Sequence, residues 1–189
     1  MKLLIIDNYD SFTYNLVQLI EKACITEYSI VKNDQLDRVN ANDFDRIIIS
    51  PGPGIANEAN QLMWFLKKFY KNKPTLGICL GHEAIAELFG GKLIPMKESM
   101  HGIKNKAFVI NNHEIFKGIP SSFDIGHYHS WIIDDTTLPD EIEVILRDEN
   151  KLNMAIKHVN YNLVGFQFHP ESIMTEYGLD MIKNWLKNS

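Results

Sequence analysis

Apolar and polar positions divide the chain into two halves of different texture. In the first half, short apolar runs closed by turn-forming residues alternate with segments whose apolar positions recur every three or four residues, the periods of buried strands and amphipathic helices. Residues 2–6 form such a run, ended by Asp7, Asn8 and Asp10, and read as a strand. Phe12, Leu16, Leu19, Ile20 and Ala23 then predict an inward-packing helix, capped by Ser11 or Asp10 and reaching about residue 23. Further strands are predicted at 28–31, 45–50 and 74–78, and further helices at about 58–70 and 81–89, the last stopped by Gly90 and Gly91. The alternation predicts an α/β fold built on a doubly wound, mainly parallel sheet.

Beyond residue 91 the pattern changes. Short strand-like runs at 107–110, 123–129, 142–146, 154–157 and 163–169 are punctuated by Gly, Pro and Asn, and predict antiparallel hairpins added to the same sheet or beside it. A last helix, about 175–186, turns Met181, Ile182, Trp185 and Leu186 inward. No repeat, low-complexity segment or linker interrupts the chain, so a single domain over residues 1–189 is expected.

Composition narrows the function. With 45% apolar and 11% aromatic residues in 189, the chain can bury a sizeable core. The formal charge of -5, from 24 acids against 19 bases with no basic run, lacks the footprint of a nucleic-acid binder. No apolar run is long enough for a secretory core or a membrane span, and a cytosolic, membrane-free protein is expected. The two cysteines, Cys24 and Cys79, are too far apart in sequence and too poor in neighbours for a disulfide framework or a thiolate metal site.

Cys79 is the centre of Gly77-Ile78-Cys79-Leu80-Gly81, between a predicted strand and a predicted helix. This is the spacing of a nucleophile elbow, where a tight strand-to-helix turn strains the central residue and admits only small neighbours. The thiol is expected to stand exposed at the carboxyl edge of the sheet, beside a helix N-terminus that favours the thiolate. Cys24, at the end of an apolar helix face, reads as a packed core residue. A thiol nucleophile needs a base, and the base an orienter. His169 closes the 163–169 run, Pro170 stops it, and Glu171, two residues on in extended chain, points to the same side as His169. For an oxyanion, the N–H of Leu80 is one donor; in the loop 50–54 (SPGPG) the prolines have none, which leaves Gly52 and Gly54, with Gly54 preferred.

Seven segments, in order across nearly the whole chain, then resemble one family: DNYDSFTYNL (7–16), SPGPG (50–54), PTLGICLGHEAI (74–85), FGG (89–91), MHG (100–102), HYHSW (127–131) and GFQFHPES (165–172). The chain resembles the class I (triad) glutamine amidotransferases, and within them the subunits that serve anthranilate and aminodeoxychorismate synthases. The resemblance implies that Cys79 attacks the side-chain amide of glutamine to form a γ-glutamyl thioester. His169 protonates the departing ammonia and later activates water, and Glu171 orients His169. It places Gly52, Pro53, Gly54, position 83 and the Ser130-Trp131 pair around glutamine. It implies neither a metal nor an organic cofactor. The ammonia passes to a larger, chorismate-binding synthase subunit in a heterodimer or heterotetramer.

The chain departs from the family where Glu83 replaces the usual glutamine, His127 an arginine and Trp131 a leucine, and where Ile103 precedes Lys104 after MHG. Glu83, one helical turn after Cys79, is expected to raise the thiol's pKa. Two rival readings remain. His127, His129, His169 and Glu171 could together form the ligand set of a metal-dependent hydrolase. Alternatively the chain is a regulatory or structural synthase subunit with weakened turnover, for which Glu83 and Trp131 are the motive. Other cysteine-elbow proteins are disfavoured by the DNYDSFTYNL opening.

Overall fold

Strand β1 (Leu3–Asp7) sends Leu3 and Ile5 to one face of the sheet and Leu4 and Ile6 to the other, all four fully buried. Both faces must therefore be roofed, and helices provide the cover. The computed structural model describes residues 1–25 and 27–187. Helices α1 (Thr13–Lys22) and α4 (Gly178–Lys187) close one face with Leu16, Val17, Ile20, Met181, Ile182 and Trp185. Helices α2 (Leu62–Phe69) and α3 (Leu80–Leu88) close the other with Leu62, Phe65, Leu66, Ala84 and Ile85. This is the doubly wound arrangement expected.

With β2 (Tyr28–Lys32), β3 (Arg46–Ile49), β4 (Thr75–Ile78), β5 (Lys92–Val109), β6 (Ser122–Asp134), β7 (Ile142–Asp148), β8 (Asn153–His158) and β9 (Leu163–Phe166), the sheet has nine strands in the order β2-β1-β3-β4-β9-β8-β7-β5-β6. Pairing is parallel from β2 through β9 and antiparallel from β9 to β6. The later strands thus join the same sheet. Their return brings β9 beside β4, with Ile78 opposite Phe166, so the chain leaving each strand emerges at one shared edge.

Several local expectations are corrected. Ser11 is exposed and caps nothing; Oδ1 of Asp10 instead accepts the Phe12 N–H at 2.7 Å. Helix α2 begins at Leu62 rather than near 58, because Asn60 at φ +48 separates it from a short 3-10 turn at Ala56–Glu58. Helix α4 begins at Gly178, after Tyr177 at φ +58, not at 175. The run at 107–110 supplies only the last three residues of the 18-residue β5, which ends at Val109 and whose exposed residues show no alternation. Strand β6 continues past 129 to Asp134, and β9 stops at Phe166, three residues short of His169. Cys24 is exposed at φ +69, not a packed core residue. Among the described residues no helix is long and apolar enough to cross a membrane.

Candidate active site

At the end of β4 the chain turns sharply into α3, and Cys79 occupies the turn with φ +51 and ψ -100. A side chain finds positive φ unfavourable, so the geometry persists only because its surroundings enforce it. The Cys79 N–H donates to the Phe166 carbonyl at 2.7 Å, and its own carbonyl accepts the Glu83 N–H at 3.0 Å. The flanking glycines let the turn close: a Cβ on Gly77 would fall on the Gly81 carbonyl, and one on Gly81 would lie 2.8 Å from Ile49. The elbow read from the sequence is present.

The thiol is less accessible than expected, at 7% exposure. Burial first, then the Glu83 carboxylate, push its pKa well above the ordinary value, and the Leu80 N–H only partly opposes them. Desolvation disfavours the anion more strongly than the helix terminus favours it, and Glu83 acts in the expected direction.

Cys79 opens on a pocket of about 150 Å³. Every residue expected to surround glutamine, Gly52, Pro53, Gly54, Glu83, Ser130 and Trp131, lines it. His101, Tyr128 and His129 complete the wall. A larger hollow of about 600 Å³ beside His113 and Phe116 contains none of these residues. The 50–54 loop is pressed onto the elbow: a Cβ on Gly52 would meet Asn8 at 2.5 Å and the Leu80 side chain at 2.7 Å. Asn8 holds this loop, its N–H donating to Ser50 Oγ at 2.9 Å and its amide to the Ser50 carbonyl at 2.8 Å. Gly54, at φ +76, lines the pocket; Leu80 is not among the lining residues, but its backbone N–H is directed at the Cys79 thiol.

His169 and Glu171 are not among the lining residues. The segment is a turn rather than extended chain, yet Nδ1 of His169 lies 2.7 Å from Oε1 of Glu171, with both side chains buried. Thr175 Oγ1 donates to the His169 carbonyl at 2.6 Å, and the His169 N–H to the Gly126 carbonyl at 3.2 Å. The imidazole is set edge-on to Phe12 and Tyr128, with ring centroids 5.6 and 5.0 Å away. Phe12 is therefore half-buried against this ring instead of in the core. Tyr128 faces the pocket as well, so one aromatic ring joins the His169 site to the Cys79 site. Nε2 of His169 is buried and has no hydrogen-bond partner among the described residues.

Two features were missed in the sequence. Gln167, two residues before His169, is fully buried, and its Nε2 donates to Glu83 Oε1 at 3.1 Å and approaches Cys79 Sγ at 3.8 Å. Its presence in the GFQFHPES segment was the available signal. His127 and His129, alternate residues on β6, turn toward each other, Nδ1 to Nε2 at 3.0 Å, and His129 Nδ1 lies 2.9 Å from the Trp131 carbonyl. Burial lowers both imidazoles to about 4 and keeps them neutral. Among the described residues no three His, Cys, Asp or Glu side chains are arranged to hold a metal ion.

The chain that carries this strained cysteine and carboxylate-bonded imidazole is similar to known proteins. Residues 4–189 match the model of the family described as glutamine amidotransferase class-I. Anthranilate synthase component 2 of Lactococcus lactis is 43% identical over 187 residues, covering 97% of this chain and 93% of that protein. The aminodeoxychorismate/anthranilate synthase component 2 of Bacillus subtilis is 39% identical over 188 residues, covering 98% and 95%. The crystal structure of a Thermoplasma acidophilum protein, described as a candidate GMP synthase subunit, superposes with a TM-score of 0.87 at 27% identity, covering 98% of this chain and 92% of that one. Fold, elbow and full-length similarity thus agree, and the chain belongs to the class I glutamine amidotransferases.

Proposed function

We propose that this chain is the glutaminase subunit of a chorismate-using synthase. It hydrolyses L-glutamine to glutamate and supplies the ammonia to a larger synthase subunit, in a heterodimer or heterotetramer, for anthranilate or aminodeoxychorismate synthesis in the cytosol. The observation that carries this reading is the convergence of Cys79 with Gly52, Pro53, Gly54, Glu83, Ser130 and Trp131, from three separate segments, on one pocket. The names of the Lactococcus and Bacillus relatives support the choice of partner and product.

In this reading Cys79 Sγ attacks the side-chain carbonyl carbon of glutamine as its proton passes to His169 Nε2. Glu171 holds the Nδ1–H, which orients the ring and balances its positive charge. The N–H groups of Leu80 and Gly54 receive the tetrahedral oxyanion. Collapse breaks the C–N bond, His169 returns the proton to the leaving ammonia, and a γ-glutamyl thioester remains on Cys79. Water deprotonated by His169 then cleaves the thioester, freeing glutamate and the thiol. Glu83, with backbone groups at Ser130 and Trp131, meets the α-amino and carboxylate ends of the substrate. The scheme uses no metal or organic cofactor.

The test is glutamate release by the chain mixed with its synthase. Wild-type protein is expected to release glutamate in step with aromatic product, whereas Cys79→Ser abolishes the glutamine-dependent reaction and leaves synthesis from free ammonia intact. A wild-type complex that makes product from ammonia but releases no glutamate would overturn the reading in favour of a non-catalytic subunit.

A further inference from the structure

Glu83 is an unusual residue to find facing a nucleophilic thiol. It lies one turn into α3 at 3% exposure, on the same helix face as Cys79, and lines the same pocket. None of the ten lining residues is Lys or Arg. Among the described residues the elements packed against α3 bury no cation against it: β4 and β9 carry no ionisable side chain, the buried residues of α2 are Leu62, Phe65 and Leu66, and the β5 lysines, Lys92, Lys97, Lys104 and Lys106, are all exposed. From the Ala56–Glu58 turn, Asn57 bonds Glu87 at 2.7 Å. Among the described residues the ionisable neighbours are Cys79, Glu87 on the same helix, Glu58 beside Gly54, and on the β5–β6 hairpin His101, Tyr128 and the neutral His129.

The group that does face Glu83 is an amide. Gln167 is fully buried, and its backbone N–H donates to the Met154 carbonyl at 2.9 Å. It follows Phe166, which pairs with Ile78, so Gln167 and Cys79 are the first residues beyond two adjacent parallel strands. The Gln167 side chain reaches across with Nε2 at 3.1 Å from Glu83 Oε1 and 3.8 Å from Cys79 Sγ. A primary amide carries two N–H donors, one for each neighbour.

We propose that Gln167 is a positioning residue of the glutaminase, its amide tying the Cys79 thiol to Glu83, and that Glu83 works in this site as an uncharged carboxylic acid. An acid in this place offers a carbonyl oxygen to the Gln167 N–H and an O–H donor from its other oxygen, the pattern a neutral amide side chain would present. Until the substrate brings its α-ammonium, an ionised carboxylate would be a buried charge with no cation lining its pocket, one helical turn from a thiol that must become an anion. Burial accordingly pushes the Glu83 carboxyl up to about 8, against the opposing Gln167 bond. Ionisation of Glu83 then hinders the thiolate, so turnover falls on the alkaline side, where thiol ionisation alone would raise it.

The proposal rests on Cys79 being the glutaminase nucleophile, but its test is read on Cys79 directly. In a Cys24→Ser background, which leaves one thiol, the rate of alkylation by iodoacetamide is followed across neutral and alkaline pH. Glu83→Gln is expected to move the profile about one unit lower, roughly a tenfold faster reaction at a fixed pH on the rising limb. Gln167→Met, similar in length but without N–H, is expected to move it higher. Nuclear magnetic resonance of the unsubstituted chain provides a second reading that no folding defect can obscure. The Glu83 carboxyl carbon and the Gln167 side-chain amide should titrate together near pH 8. Superimposable alkylation profiles, or a Glu83 carbon that titrates in the ordinary carboxylate range, would overturn the proposal. A chain that passes both tests but releases no glutamate with its synthase overturns the proposed function and leaves the pairing standing.

Discussion

Nδ1 of His169 lies 2.7 Å from Oε1 of Glu171 across a single turn, with both side chains buried. In the proposed mechanism the carboxylate keeps the proton on Nδ1 and leaves Nε2 as the base. Glu171→Gln retains the shape but not the charge, and is expected to lower kcat for glutamine hydrolysis by roughly 10²-fold or more. Steady-state glutamate release checks this, with ammonia-dependent synthesis by the complex as the internal control; an unchanged kcat would remove Glu171 from the mechanism.

The elbow makes a prediction about stability. Because a Cβ on Gly77 would land on Gly81 backbone, which has no flexible end to swing away, Gly77→Ala is expected to destabilise the fold by about 3 kcal/mol or more. Urea unfolding measures it, and a loss below about 1 kcal/mol would mean that the turn is softer than its contacts indicate.

Acid should unfold this protein early. Burial lowers His82 from 6.5 to about 3, and His127 and His129 to about 4. Below pH 6.5 the unfolded chain takes up protons at these sites and the native chain does not. Their stabilisation is therefore complete above 6.5 and lost as pH falls toward 4, and for His82 toward 3, by several kcal/mol in all. The urea midpoint is expected to drop steeply across that interval; a flat profile contradicts neutral burial of the three rings.

Glu83 has the opposite sign. Its carboxyl is raised from 4.5 to about 8, so between these values the native chain holds a proton that the unfolded chain has released. Stability from this group is present below 4.5 and declines as pH rises to 8. Glu83→Gln should gain relative to wild type over that window, by on the order of 3–5 kcal/mol. Paired unfolding curves at the two ends of the window measure the gain, and parallel pH dependences would refute it.

The parallel half of the fold was legible because its information is local. The β1 run closed by Asp7 and the helical spacing of Leu16 and Ile20 each describe one element packed on one or two faces. The strain at Cys79 was readable for the same reason, since Gly77 and Gly81 record a steric demand in the sequence itself. Strand β5 was hidden because its exposed residues follow no period of two, and its pairing with β6 shifts register between Pro95 and Met100 and again between His101 and Ile103. Ser11 was misjudged because a favourable cap residue competes with Asp10, whose carboxylate reaches the Phe12 N–H first.

By itself, then, the sequence determined the order of strands and helices, the elbow and the His169–Glu171 pair, all set by interactions within a few residues. Tertiary structure alone decided that Tyr128 joins the two halves of the site, that Gln167 meets Glu83, and that burial raises the pKa of the Cys79 thiol. These depend on which strands lie side by side and on how far water is excluded between them, and desolvation is a property of the packed fold that no short segment carries.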